Sequence, residues 1–314
     1  MKNKYMNDLL KTILIAFVLT LSGCYETDID SGKKIIEIDF SDTGTTREND
    51  LNNDSKPSLK LAIAAMTSPK ETYNHYHELI RYISDSLGIN IERSQKKTYA
   101  EVNNLLKNGN VDVAFICSGA YIAAEGGLPV DNIAVPMIGG SFFYHSYIIT
   151  HVDNDINSFS DFKGKSFAFT DPLSHTGYVY ARCLIQKNEY SLADYFSKTI
   201  FTNAHDNSIQ AVARKMVDGA CVHSSIFDYI KTKNPEKVKN IKIVKVSDPY
   251  GMPPIVVRTA LNDKIKQRLR NILIKMNMNN RGRRILKSLL IDKYVDSDST
   301  DYTSVRNCYE SLLK

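Results

Sequence analysis

The sequence predicts an α/β protein with helices on both faces of its sheets, laid out as two successive sets. Three observations carry this. From Leu59 onward, short apolar runs alternate with amphipathic segments, the pattern of a sheet covered by helices. The run Val111 to Cys117 is apolar throughout apart from Asp112, as in a strand buried on both faces. Helix-start signals fall between the runs: Ser68-Pro69-Lys70-Glu71 and Thr98-Tyr99-Ala100-Glu101 both read as capping boxes, the first with Pro at the first helical position.

The chain before Leu59 is of a different kind. Lys2, Lys4 and Lys11 precede an apolar run from Thr12 to Leu21. That run is shorter than the roughly 20 residues a permanent membrane helix needs, and with its basic flank it reads as a signal peptide over residues 1–23. It ends in Leu21-Ser22-Gly23-Cys24, which looks like a bacterial lipobox. That resemblance implies cleavage before Cys24, lipidation of its sulfur, and a lipid-anchored protein of the cell envelope, its folded part periplasmic or extracellular. Residues 24–58 are polar, rich in Asp, Asn, Ser, Thr and Gly, and predict a disordered tether.

The first set then runs in order. A strand is expected at Leu59 to Ala65, a helix from Pro69 stopping at Gly88, and a strand at Ile89 to Ile91. A helix from Thr98 to about Gly109, the strand Val111 to Cys117 and a short helix from Ser118 follow, then strands at Ile133 to Met137 and Tyr147 to Thr150. The polar break His151 to Asn157 separates a second set. Its strands are Ser166 to Phe169, Thr199 to Thr202, Gly219 to Val222 and Ile241 to Val246. Its helices are Gly177 to Lys187, Ser208 to Val217 and Ser224 to Lys233. After Pro249 to Pro254 come a strand at Ile255 to Arg258 and helices near Asn262 to Met276, Arg281 to Leu290 and Tyr302 to Leu313. Such alternation predicts parallel-rich sheets.

Ligands of α/β sheets sit beyond the carboxyl ends of strands. Four loops at such ends carry small polar residues: Cys117-Ser118-Gly119, Asp171 to Gly177, Asn203 to Ser208, and His223-Ser224-Ser225. In the second of these, Ser174-His175-Thr176-Gly177 follows a strand and opens a helical pattern. The free N–H groups of a first helical turn, joined by hydroxyls, suit a small oxyanion. Read without its neighbours, the same stretch is most simply a helix N-cap.

These pieces together resemble the phosphate/phosphite/phosphonate-binding proteins of ABC transporters, the PhnD-like family. The matching segments are KTYAEVNNLLKNGNVDVAFICSGAY (Lys97 to Tyr121), YHSYIIT (Tyr144 to Thr150), DPLSHTGY (Asp171 to Tyr178), NAHDNSIQAVARKMVD (Asn203 to Asp218) and PPIVVR (Pro253 to Arg258). The resemblance implies the α/β, two-lobed, Venus-flytrap fold of the type II periplasmic binding proteins, with mixed sheets and helices on both faces. Lobe one would be residues 59–150 plus 249–314 and lobe two 151–248, closing on ligand by a hinge. It implies oxyanion contacts from Tyr99, Tyr144, Ser118, the Ser174, Thr176 and Gly177 loop, and His205. His175, also expected among the ligand contacts, stands in that loop where the family often has a hydroxyl; its backbone can still donate. Members that bind aminoethylphosphonate hold its amine with carboxylates, and the matching Ser225 and Pro253 are not acidic. A ligand without an amine follows: phosphate, phosphite or an alkylphosphonate. Plain alternatives stand beside these: Tyr99 as a surface aromatic, Tyr144 as core within Phe142-Phe143-Tyr144, His205 as an ordinary histidine.

The resemblance implies a monomeric solute-binding protein that delivers its ligand to an ABC permease. A ligand-sensing lipoprotein of the same fold is the alternative. An enzyme is disfavoured: no nucleophile elbow, metal-ligand spacing or Walker motif occurs. Ser174, His205 and Asp206 can be imagined as a triad only by fold analogy. No cofactor or metal is implied, and the net charge of +5 comes without an arginine-rich block, so no nucleic-acid partner is read. The pairing of Cys117, Cys183, Cys221 and Cys308 is left open.

Overall fold

The computed structural model describes residues 58–125 and 127–312. The expected signal segment, the lipidation site Cys24 and the tether lie outside them, apart from Ser58, which opens the first strand.

The chain begins with β1 (Ser58–Ile63), α1 (Pro69–Leu87), β2 (Asn90–Gln95), α2 (Tyr99–Lys107), β3 (Val113–Phe115), α3 (Ser118–Ala123) and β4 (Val130–Met137). It passes through β5 (Phe143–Tyr144) into β6 (Ser146–His151), β7 (Ser166–Phe169), α4 (Tyr180–Gln186), the short α5 (Leu192–Tyr195), β8 (Lys198–Phe201), α6 (His205–Ala213), β9 (Gly219–His223), α7 (Ser224–Lys233) and β10 (Ile241–Val246). It returns through β11 (Tyr250–Gly251) to β12 (Ile255–Arg258), α8 (Asp263–Ile274), α9 (Asn280–Ser288), β13 (Lys293–Val295) and α10 (Thr303–Ser311).

Two sheets result, ordered β13-β4-β12-β3-β1-β2 and β10-β6-β9-β7-β8. The strands joined by helical crossovers are parallel, as a crossover requires: β1 with β2 and β3, and β7 with β8 and β9. The two strands that arrive from the other sheet, β6 and β12, are antiparallel to both neighbours. The sheets are therefore mixed, as the resemblance implies, rather than parallel-rich as the alternation alone predicts. Where the chain crosses between them, β5 and β11 pair antiparallel through Tyr144 and Tyr250. The two crossings thus form one two-stranded hinge ribbon.

Packing explains the local pattern. Leu61 and Ile63 face Leu79, Ile83 and Phe115 on one side of the first sheet, while Ala62 and Ala64 face Tyr99, Val102 and Leu106 on the other. Both faces of β3 are buried, as its continuous apolar run predicts.

Four expectations change. The strand near Tyr147 belongs to the second sheet, where it pairs β9 and β10. The turn that ends β4 is Gly139-Gly140, both at positive φ, so the chain has already left the first sheet before the polar break at His151. Thr98 forms its capping box, but Ser68 makes no side-chain cap. Its N–H donates instead to Asp206 Oδ1 at 2.8 Å, and Glu71 pairs with His75 and Lys237. Helix α6 begins at His205 rather than Ser208. The segment after Ser174 is a π turn, His175–Val179, before α4. The open cysteine question resolves as a Cys183–Cys308 disulfide, with Cys117 and Cys221 free and buried.

Candidate functional site

The strand-end loops of the two sheets meet face to face. Tyr99 N–H donates to Asp171 Oδ2 at 3.1 Å. His205 N–H donates to the Met66 carbonyl at 3.0 Å, and the Ser68–Asp206 bond lies beside it. Gly119 packs so closely that a Cβ there would stand 2.6 Å from His175 N. The seam between the sheets is thus held by backbone and carboxylate bonds, leaving side-chain hydroxyls to line it.

Each expected residue can be placed. Tyr99 opens α2 behind the Thr98–Glu101 box. Its side chain is fully buried and its hydroxyl has no hydrogen-bond partner. Burial pushes this phenol well above its ordinary range, Cys117 and Asp171 add to the effect, and the nearby Ser174 hydroxyl opposes it. Ser118 opens α3 just beyond the end of β3 and shares a 2.6 Å hydrogen bond with the Tyr144 hydroxyl. Tyr144 is fully buried at the hinge ribbon and stacks on the His223 ring, with centroids 4.1 Å apart. Burial raises its phenol too, with the Ser118 and Thr176 hydroxyls acting the other way.

The second sheet supplies the facing wall. Ser174 Oγ accepts from Gly177 N–H at 3.1 Å and lies 3.4 Å from His205 Nε2. The capping role read for Ser174 is therefore present. Thr176 Oγ1 is buried without a partner, while its carbonyl accepts from Ser146 Oγ at 2.7 Å. Gly177 leaves no room for a side chain: a Cβ would stand 2.5 Å from Thr170 Oγ1. His205 Nδ1 accepts from the His223 N–H at 3.1 Å and faces Thr170 Oγ1 at 3.0 Å. The His223 bond assigns the proton to Nε2, which points as a donor toward Ser174. Burial lowers the His205 pKa to about 3, so the ring is neutral at ordinary pH.

His175 is set apart from these. Its ring packs edge-on to Tyr250 at 4.0 Å and beside Tyr309 of α10. Both ring nitrogens lack partners, and burial lowers its pKa to about 3. The structure thus groups Tyr99, Ser118, Tyr144, Ser174, Thr176, Gly177 and His205 around one seam and turns the His175 ring into an aromatic layer. Two participants were missed. Thr170 and His223 both orient His205, and His223 is itself neutral, held far below its usual pKa by burial and by His205. The signal available was the His223-Ser224-Ser225 loop at a strand end; nothing in it singled out the ring.

The imagined triad lacks its third member. The group at His205 Nδ1 is a backbone N–H, and Asp206 turns away to Ser68. What remains is a set of neutral donors: the hydroxyls of Tyr99, Tyr144, Ser118, Ser174 and Thr176, and the Nε2–H of His205. Hydrogen bonds to a charged partner contribute about 1.5–3 kcal/mol each, so a small oxyanion is the guest this set fits. Among the described residues no cluster of His, Cys, Asp and Glu could hold a metal ion, and no helix is long and apolar enough to cross a membrane.

Comparisons with known proteins agree with this chemistry. A family model described as an ABC transporter, phosphonate, periplasmic substrate-binding protein matches residues 61–302. The phosphate-import protein PhnD of Mycolicibacterium smegmatis is 28% identical over 226 residues, 68% of this chain and 70% of that protein. The phosphonates-binding periplasmic protein of Escherichia coli is 25% identical over 245 residues, 75% of this chain and 71% of that protein. PhnD1 of Prochlorococcus marinus, solved in complex with methylphosphonate, has a TM-score of 0.72 at 14% identity, covering 82% of this chain and 98% of that one. At that identity the structural likeness speaks for the fold.

Proposed function

The chain belongs to the periplasmic substrate-binding proteins of phosphonate ABC transporters, and from that premise we propose that it captures a small phosphorus oxyanion between its two sheets and hands it to a membrane permease. The fold is the two-lobed, type II periplasmic-binding-protein fold, with β5 and β11 at the crossings. In this reading the lobes are the units built on the two sheets, and they close about the hinge ribbon.

One observation carries the proposal. The hydroxyls of Tyr99 and Thr176 are buried without partners, on opposite walls of the seam and beside Ser174 and the His205 donor. Burying such groups unsatisfied costs about 1–3 kcal/mol each. An oxyanion accepting from them recovers that cost, and it also joins the two walls, which couples binding to closure. Ser118 and Tyr144 complete the set from the hinge side. The backbone approach allowed by Gly177 brings the anion close to the Ser174 turn.

The absence of a fixed cation in this set favours selection by geometry and hydrogen bonding. The positions matching the amine-binding carboxylates of aminoethylphosphonate binders remain Ser225 and Pro253, so the ligand lacks an amine: phosphate, phosphite or a phosphonate with an uncharged substituent. The protein acts without turnover of its ligand and as a monomer. Export and lipidation at Cys24 would keep it beside its permease on the envelope side of the membrane.

A thermal-shift screen tests this reading, since a ligand that binds only the folded state raises the midpoint. Phosphate, phosphite and methylphosphonate are expected to raise it, and aminoethylphosphonate to raise it less. No shift with any phosphorus oxyanion, or the largest shift with sulfate, would set the proposal aside.

A further inference from the structure

Beside the oxyanion seam lies a cavity of about 160 Å³. Tyr99, Ser174 and Thr176 do not line it; His223 does. His223 therefore joins the two spaces, since its ring also stacks on Tyr144. Other links run along the chain. Phe115 and Ile116 line the cavity and lead directly to Cys117 and Ser118, while Asp206 lines it immediately after His205. The cavity continues the seam.

Its walls come from both sheets and are largely apolar or aromatic: Tyr76, Phe115, Ile138, Ile226, Tyr229 and Met252. Tyr76 meets Phe115 edge-on at 5.3 Å, and Tyr229 meets His75 at 4.6 Å. Two carboxylates, Asp206 and Glu71, also line it. Asp206 accepts from Ser68 N–H, and Glu71 lies 3.6 Å from His75 Nε2 and 3.7 Å from Lys237 Nζ. An uncharged ring would leave these contacts in place.

We infer that the ligand carries an uncharged carbon substituent of ring size, its oxyanion in the seam and its ring in this cavity. The substrate class is an aryl- or branched-alkylphosphonate, or the corresponding phosphate monoester. This rests on the oxyanion reading above. An apolar cavity of about 150 Å³ holds a benzene ring, so a methyl group would leave most of this one unfilled, and inorganic phosphate all of it. Because the walls belong to both sheets, a ring seated there contacts both, and its burial drives closure as the oxyanion contacts do.

Isothermal titration of the folded protein with phosphate, methylphosphonate, tert-butylphosphonate, phenylphosphonate and phenyl phosphate tests this. Affinity should rise with substituent volume, and a phenyl compound should bind at least tenfold tighter than methylphosphonate, equivalent to about 1.4 kcal/mol. Comparison of phenylphosphonate with phenyl phosphate tells which linkage the seam prefers. Ile226→Phe, which fills the cavity from a half-buried position, should abolish the phenyl advantage and leave methylphosphonate within about twofold. The ligand series needs no variant, so it decides even if that substitution misfolds. Methylphosphonate binding with phenyl compounds equal or weaker overturns the inference and leaves the oxyanion reading standing. A phenyl advantage that survives in folded Ile226→Phe also overturns it. No binding by any member of the series overturns both.

Discussion

Replacing Tyr99 by Phe separates binding from stability in a way few substitutions can. The Tyr99 hydroxyl is fully buried and unpartnered, so deleting it removes a desolvation penalty of about 1–3 kcal/mol from the ligand-free protein. The ring stays packed against the Val102 and Leu106 layer, and the backbone N–H keeps its bond to Asp171. For a domain of this size each kcal/mol moves the melting midpoint by about 2–4 °C, so the ligand-free midpoint should rise by at least that. With oxyanion bound, the same hydroxyl is a charge-assisted donor contributing about 1.5–3 kcal/mol, and its loss weakens binding by roughly tenfold to a hundredfold. Differential scanning fluorimetry reads the first effect and calorimetric titration with methylphosphonate the second. An unchanged dissociation constant would remove Tyr99 from the site. A lowered midpoint would show that its hydroxyl already has a partner.

Further predictions test other parts. Ser174→Ala removes both an oxyanion donor and the cap on Gly177 N–H; titration should show about tenfold weaker binding, and an unaffected constant would exclude Ser174. Gly177→Ala places a Cβ 2.5 Å from Thr170 Oγ1 and 2.8 Å from Ser174 Oγ, so denaturant unfolding should show a loss of about 1–3 kcal/mol together with loss of binding; a silent substitution would mean the loop yields easily. His175 and His205 titrate near 3 when folded, against 6.5 as the ordinary value. Between these values the unfolded chain binds more protons, so each His removes about 1.4 kcal/mol of stability per pH unit as pH falls below about 6.5. The melting midpoint should drop steadily on acidification from pH 6.5, less steeply in His175→Phe, and a flat profile to pH 5 would contradict the burial of these rings. The Cys183–Cys308 bond closes a separation of 125 residues, so Cys308→Ser should cost about 2–5 kcal/mol, measured by oxidised and reduced denaturation curves; coincident curves would argue that the bond is not formed.

Much of this was legible because local chemistry and tertiary role coincide. The Thr98 box fixes where α2 starts and so where Tyr99 sits, and the continuous apolar run of β3 fixes the strand that delivers Ser118. The Ser174 to Gly177 stretch displays its hydroxyls and its glycine directly. Elsewhere local signals were overruled by distant partners. Ser68 has the letters of a capping box, yet its N–H is taken by Asp206, 138 positions later. His223 looks like any histidine ending a strand, and only the fold reveals that its backbone orients His205 and its ring supports Tyr144. The sheet to which β6 belongs depends on pairing with β9 and β10, which no local pattern encodes. The disulfide joins α4 to α10 and could not be chosen among four cysteines by spacing.

Isothermal titration of the wild-type protein with methylphosphonate, alongside Tyr99→Phe and Thr176→Val, is the most direct test of the neutral-donor seam. One binding event per chain is expected, weakened at least tenfold in each variant, because each removes an unpartnered buried hydroxyl from a different wall. Binding of the same strength in both folded variants would contradict it, as would no binding at all by the folded wild type.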